Sequence, residues 1–181
     1  MNIQIVSGVG TGPTKMAAFD AALRQAGIAN YNLLKLSSVI PLNAAVSEPP
    51  LDALVIGGEW GDRLYVVLAE NEVDTPNTEA WSGIGWVQDE TNGKGLFVEH
   101  HGGSERTVQK NIEDSLHAFA EGRGMEFGPV QMKVRGIMCD RDPVCSLVAA
   151  VYYTTPWPRQ LTPKEAEQAA ELFSSASTPT T

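Results

Sequence analysis

The residues that could do chemistry fall in a few short stretches. Ser37 and Ser38 stand side by side in the run Leu33-Leu34-Lys35-Leu36-Ser37-Ser38-Val39-Ile40, which Pro41 stops; Asn32 lies just ahead of it. The run is short, rich in Leu and β-branched residues and bounded by Asn and Pro, which predicts one buried strand. Hydroxyls in such a strand are costly unless hydrogen-bonded. Taken alone, the pair reads as satisfied core serines, and Asn32 as a polar strand start. A second stretch, Glu99-His100-His101, invites a metal reading. Successive strand side chains point to opposite faces, so His100 and His101 do not readily share an ion. Glu99 and His101 share a face, but the chain has only one other histidine, His117. No metal site is predicted, and Glu99 by itself reads as a surface carboxylate at a strand end.

Two further stretches carry less than they suggest. Gly8-Val9-Gly10-Thr11-Gly12-Pro13 looks like a phosphate loop. The third glycine of the dinucleotide pattern falls at Pro13, however, and no Gly-Lys-[Ser/Thr] ending follows. It reads as a tight turn with Pro13 in the first turn of a helix. Cys139 and Cys145 flank an Asp-Arg-Asp-Pro turn at a spacing that fits no zinc pattern; they read as free thiols of a cytosolic protein.

The elements that must position these residues follow from periodicity. A first strand is predicted at 3–6 and a helix at 13–26, with Met16, Phe19, Leu23 and Ala26 on its apolar face and Gly27 as its stop. Asp20 lies beside that face, where it reads as a solvated carboxylate. Short strands are expected at 53–56 and 64–69, then a polar loop at 70–80. Strands at 81–88 and 95–101 are joined by the hairpin signal Asn92-Gly93. Ser104 opens a helix whose stripe is Val108, Ile112, Leu116 and Phe119, ended by Gly122 and Gly124. Strands at 130–138 and 147–153 follow. Thr162-Pro163-Lys164-Glu165 matches a capping box and predicts a short helix at 165–173, and the Ser/Thr/Ala/Pro tail at 174–181 reads as disordered.

The 181 residues, 43% of them hydrophobic, suit one domain with a tail. No apolar run reaches about 18 residues, which excludes a membrane-spanning helix, and no secretory signal is visible; a cytoplasmic protein is expected. The net charge of −9 argues against nucleic acid or an anionic membrane as partner.

The stretch around Ser37-Ser38, together with Ala18-Phe19-Asp20-Ala21-Ala22-Leu23, Ala26-Gly27-Ile28 and the later Gly95-Leu96-Phe97-Val98-Glu99, resembles the pyruvoyl-dependent arginine decarboxylases over most of residues 1–153. That resemblance implies self-cleavage between Ser37 and Ser38. The Ser38 hydroxyl attacks the Ser37 carbonyl, β-elimination breaks the chain, and residue 38 becomes a covalent pyruvoyl cofactor. Asn32 matches the family's asparagine for this step, a donor to the developing oxyanion. Asp20 matches the carboxylate that binds the guanidinium of L-arginine, where it can accept two parallel N–H bonds. Glu99 matches the proton donor that follows loss of CO₂ from a Schiff base, and an apolar strand suits it because desolvation favours the neutral acid. The product is agmatine.

Pattern alone gives an α+β fold with a largely antiparallel sheet. The resemblance sharpens this to a four-layer αββα sandwich, assembled as a trimer or a dimer of trimers with active sites between subunits. It also implies a decarboxylase domain over 1–153, cut into chains 1–37 and 38–181, with 154–181 as an extension. A sister pyruvoyl decarboxylase for another amino acid, and an uncleaved homologue that binds or assembles without catalysis, are the alternatives.

Overall fold

The computed structural model describes residues 1–158, 162–165, 167 and 168. The chain runs β1 (Asn2–Thr11), α1 (Lys15–Gln25), β2 (Asn32–Lys35), β3 (Val39–Ile40), β4 (Ala45–Ser47), a 3-10 turn (Leu51–Ala53), β5 (Arg63–Val73), β6 (Thr78–Gln88), β7 (Gly95–Gly102), α2 (Glu105–Arg123), β8 (Gln131–Cys139) and β9 (Val144–Thr155). One sheet has the order β2-β5-β9-β1-β4 and the other β3-β7-β6-β8. The second is antiparallel throughout. In the first, only β2 beside β5 and β4 beside β1 run parallel. The two sheets pack face to face, with α1 on the outer face of the first and α2 on the outer face of the second. This is the expected four-layer αββα sandwich.

Three apolar layers follow from strand alternation. In β9, Val148, Ala150 and Tyr152 face the second sheet, where they meet Ile84, Trp86 and Phe97. The intervening Leu147, Ala149 and Val151 face α1. On the other side, Val108, Ile112 and Leu116 of α2 pack on Val87, Leu96 and Val98. Ser104 caps α2 by accepting the Thr107 N–H, and Gly124 ends it in the left-handed region at φ 58°. Phe119, placed on the buried stripe by its spacing, is instead exposed.

Several expectations need correction. The glycine-rich stretch is not a turn: Gly8 and Gly10 lie inside β1, which runs on to Thr11. A β-carbon at Gly8 would collide with the Ala22 carbonyl, and one at Gly10 with the Ala18 carbonyl. These glycines therefore let α1 lie directly on the strand. The buried face of α1 is accordingly Ala18, Ala22 and Ala26, while Met16 is exposed and Phe19 and Leu23 are half-buried at the edge of that layer. No strand forms at 53–56. The Val55 N–H and carbonyl are taken by the Gln4 side chain, at 3.2 and 2.7 Å, so that segment straps onto β1 instead of forming a ladder. The polar stretch at 70–80 is mostly strand, because β5 and β6 extend into it around a turn in which Asn77 takes φ 62°. The capping box is present: Thr162 N donates to Glu165 Oε2 at 2.9 Å and Glu165 N to Thr162 Oγ1 at 3.4 Å. Most of the helix expected at 165–173 and the whole 174–181 tail lie outside the described residues.

Gly10→Ala is expected to lower stability by about 1–3 kcal/mol, the usual cost of forcing atoms into a filled layer. Urea unfolding checks this as a lower midpoint at an unchanged slope.

Candidate active site

The run expected to be one buried strand is two strands in different sheets. The Leu36 N–H still donates to the Val66 carbonyl of the first sheet at 2.8 Å. Three residues later Val39 pairs with Leu96 in the second. Ser37 and Ser38 make the crossing, Ser37 exposed and Ser38 half-buried. The run from Leu33 to Ile40 is apolar except at Lys35 and the two serines and so resembles one strand, but the sheets lie about 10 Å apart, and the chain must turn to pass between them. Ser38 does so at φ 64°, a left-handed conformation that a non-glycine residue holds only when its surroundings over-determine it.

Those surroundings are specific. The Phe97 N–H donates to the Ser38 carbonyl at 2.8 Å. The Ser38 hydroxyl donates to Glu99 Oε1 at 2.6 Å. The Tyr152 hydroxyl, from the opposite sheet, donates to the Val39 carbonyl at 2.9 Å. Glu99 reaches the serine because it is two residues beyond Phe97 on β7 and so shares its inward face. His100 points the other way, to Ser115 Oγ on α2 at 2.8 Å; burial lowers its pKa from the ordinary 6.5, partly offset by the Glu99 charge. Tyr152 has its pKa raised by burial and then by the neighbouring Glu99 carboxylate, so it remains a neutral donor. Ser38 and Glu99 stand out in the sequence, whereas Tyr152 and the Phe97 amide do not. Both depend on which strands become neighbours, and nothing local in the sequence signals that.

The other two residues are not brought to this point within one chain. Asn32 begins β2, where its side-chain amide donates to the Gly61 carbonyl at 2.5 Å, a carbonyl that also accepts from the Trp157 indole at 2.9 Å. Asn32 and Ser38 stand at opposite ends of β2 and the crossing that follows it. Asp20 is exposed on α1, the outermost layer, and pairs with Arg24 Nε at 3.1 Å.

Other reactive groups stand apart. Cys139 and Cys145 are free and buried. Burial, followed by the charges of Glu72 and Glu70, pushes the Cys145 thiol up to about 12, which leaves it without nucleophilic thiolate at neutral pH. No described group of three or more His, Cys, Asp and Glu residues could hold a metal ion. No described helix is long and apolar enough to cross a membrane.

The crossing fits a cofactor made from Ser38. Residue 38 is held on its C-terminal side, by the Phe97 N–H on its own carbonyl and the Tyr152 hydroxyl on the next, and neither bond involves Ser37. The peptide that would break is the exposed, strained one, and a carboxyl group already sits on the side chain that would be converted. A serine so held suits the class of enzymes that draw a carbonyl cofactor from their own chain. Residues 2–157 match the family model described as pyruvoyl-dependent arginine decarboxylase, and the chain belongs to that family. Relatives of that name include one from Halobacterium salinarum, 39% identical over 114 residues that cover 63% of this chain and 67% of the relative. One from Thermococcus kodakarensis is 31% identical over 147 residues, covering 78% and 88%. One from Pyrococcus abyssi is 30% identical over 154 residues, covering 82% and 92%. Among solved structures, a pyruvoyl-dependent histidine decarboxylase at pH 8 aligns with 15% identity and a TM-score of 0.39 over 58% of each chain, a likeness too slight to bear on the site.

Proposed function

We propose that the chain cuts itself between Ser37 and Ser38 and then converts L-arginine to agmatine and CO₂ at the group left on residue 38. The observation that carries this reading is the Ser38 hydroxyl held 2.6 Å from Glu99 beside a left-handed, half-exposed peptide. In the cleavage, Ser38 Oγ bonds to the Ser37 carbonyl carbon, the Ser37–Ser38 amide bond breaks, and the hydroxyl proton passes to the freed nitrogen. Loss of the residue 38 α-proton then expels Ser37 as a carboxylate. Water replaces the nitrogen of the resulting dehydroalanine, which departs as ammonia. The pyruvoyl group so formed supplies a carbonyl that draws electrons from the bond to the departing CO₂, the task that pyridoxal phosphate performs elsewhere. Glu99, already on the residue 38 side chain, is the proton donor to the carbon that loses CO₂.

In this reading the site is completed by a neighbouring subunit. Leu34, Val39 and Leu42, around the serine pair, are exposed in the single chain, an apolar rim of the kind that partner surfaces cover. Asn32, too far along the strand to serve its own Ser38, donates to the oxyanion at a neighbour's Ser37. Asp20, exposed on its outer helix, holds the guanidinium of arginine in a neighbour's site. A trimer supplies such neighbours by symmetry. Residues 1–153 carry the chemistry and 154–181 form an extension. The two unpaired thiols, Cys139 and Cys145, suit a reducing cytoplasm.

Ser38→Ala should remain a single chain of 181 residues, because no oxygen is left to attack; intact-mass spectrometry checks this, and cutting after Ser37 in this variant overturns the mechanism. Glu99→Gln should mature normally, since its amide oxygen still accepts the Ser38 hydroxyl, while agmatine release falls by about 10²–10⁴. Full agmatine output from cleaved Glu99→Gln removes Glu99 as donor, and an uncut chain makes its carboxylate part of maturation instead.

Asn32→Ala and Ser38→Ala should each stay uncut alone. Co-expressed in mixed trimers, part of the Asn32→Ala chains should be cut by Asn32 from Ser38→Ala neighbours; a gel showing none cut places the two residues in one chain's site. Asp20→Asn should mature, then show a KM for arginine raised by about 10²-fold or more, the scale of a broken charge pair. An unchanged KM would mean that the guanidinium sits elsewhere.

A further inference from the structure

Tyr152 is singled out by the register of the first sheet. Tyr65 pairs with Tyr153 and Val66 with Val151, which leaves Tyr152 as the extra residue of a β-bulge in β9. Bulges of this kind re-aim side chains and gather near functional sites. Here Tyr152 keeps the inward face of Val148 and Ala150, and the bulge sets the exposed Tyr153 opposite Tyr65. Tyr153 stacks on Tyr65 with ring centroids 4.6 Å apart. Tyr152 packs edge-on against Phe97 at 6.3 Å and sends its hydroxyl across the gap to the Val39 carbonyl at 2.9 Å.

The receiving carbonyl belongs to a weak element. β3 is two residues long at the edge of its sheet, and by its own pairing it cannot hold the preceding serine at φ 64°. Two anchors do so: the Phe97 N–H on the Ser38 carbonyl and the Tyr152 hydroxyl on the next one. The two carbonyls are consecutive along the chain, so together they fix the peptides on both sides of Val39 and, through them, the direction in which Ser38 leaves toward Ser37.

Resting on the self-cleavage reading above, we propose that Tyr152 is a positioning residue for maturation: its hydroxyl holds the Val39 carbonyl across the sheets and keeps Ser38 in the strained geometry from which Oγ reaches the Ser37 carbonyl. Without that bond the edge strand relaxes toward ordinary extended backbone, and the hydroxyl loses its approach to the carbon it attacks. The ring carries the packing and the hydroxyl carries the positioning. Because burial and the Glu99 charge keep the phenol protonated, it donates throughout the neutral range.

The test follows freshly translated full-length chains over time on denaturing gels, with and without hydroxylamine. At neutral pH hydroxylamine opens the ester formed by attack of Oγ, leaving a hydroxamate on Ser37 and an intact serine at residue 38, whereas a chain already matured carries the oxime of its pyruvoyl group there; mass spectrometry tells these apart, and separates them from any cut at Asn92-Gly93. Wild type is compared with Tyr152→Phe and with Ser146→Ala, which removes a buried inter-sheet hydrogen bond, Ser146 to Ser82 at 3.1 Å, away from the crossing. Tyr152→Phe should yield the 37-residue fragment and its 144-residue partner (181 less 37) several-fold more slowly, up to about tenfold, the worth of one net hydrogen bond. Its hydroxylamine-released fraction should fall by a similar factor at a melting temperature no lower than that of Ser146→Ala, and Ser146→Ala should mature at the wild-type rate. Wild-type cutting by Tyr152→Phe overturns the assignment, as does equal slowing in both variants. A Tyr152→Phe chain that unfolds also overturns it, since the hydroxyl would then be holding the fold. Wild type that never cuts defeats the self-cleavage reading itself, and is distinguishable from these because it fails before any variant is compared.

Discussion

The structure turns on one constraint: the chain must pass from one sheet to the other within the few residues between Lys35 and Val39. Two sheets in contact leave no room for a long connection. The passage is therefore made by a short tight segment whose backbone cannot complete either ladder. Leu36 gives its N–H to the sheet being left, and Ser38 gives its carbonyl to the sheet being joined. What lies between is the exposed Ser37–Ser38 peptide, with Ser38 in a conformation an L-residue avoids. The left-handed backbone belongs to this crossing in particular: the passage from β8 to β9 between the same sheets, at residues 140–143, has no residue of positive φ.

The rest of the fold serves that crossing. Gly8 and Gly10 let α1 lie flat on β1, which seats the outer face of the first sheet and leaves its inner face free for the aromatic residues of β9. α2 seals the outer face of the second sheet and takes up His100, so that β7 presents Phe97 and Glu99 inward. The hydrogen bond from Tyr152 to Val39 then joins the two sheets beside the serine. Each of these is a packing statement first. The chemistry follows because packing leaves a hydroxyl, a carboxyl group and a strained peptide within reach of one another.

Much of the fold was legible because its signals are local. The stripe Val108-Ile112-Leu116, the Ser104 cap, the Asn92-Gly93 hairpin and the Thr162…Glu165 capping box depend on residues a few positions apart, and each is found where periodicity placed it. The failures share a cause. The glycines of β1 read as a turn because a glycine-rich run favours one, and nothing local says that the next helix folds back onto them. Residues 53–56 read as a strand because nothing in their own sequence says that Gln4 takes their backbone groups. Met16 read as buried because a hydrophobic face was inferred from side-chain size, whereas close approach to glycine selects alanine.

For the site, the residues taken alone read as core serines and a surface carboxylate, and it was the likeness of the Ser37-Ser38 stretch and of residues 95–99 to a known family that supplied the reaction. The tertiary structure decided that Ser38 and Glu99 meet at 2.6 Å, that the run around the serines divides between two sheets, and that Tyr152 and the Phe97 amide join them. It also decided that Asn32 and Asp20 stand away from their own Ser38. The reason is the nature of strand pairing. A sequence specifies which residues alternate along a strand, but a β-bulge at Tyr152, or the choice of β7 as neighbour to β3, depends on contacts between segments far apart in the chain, and only the packed sheets resolve them.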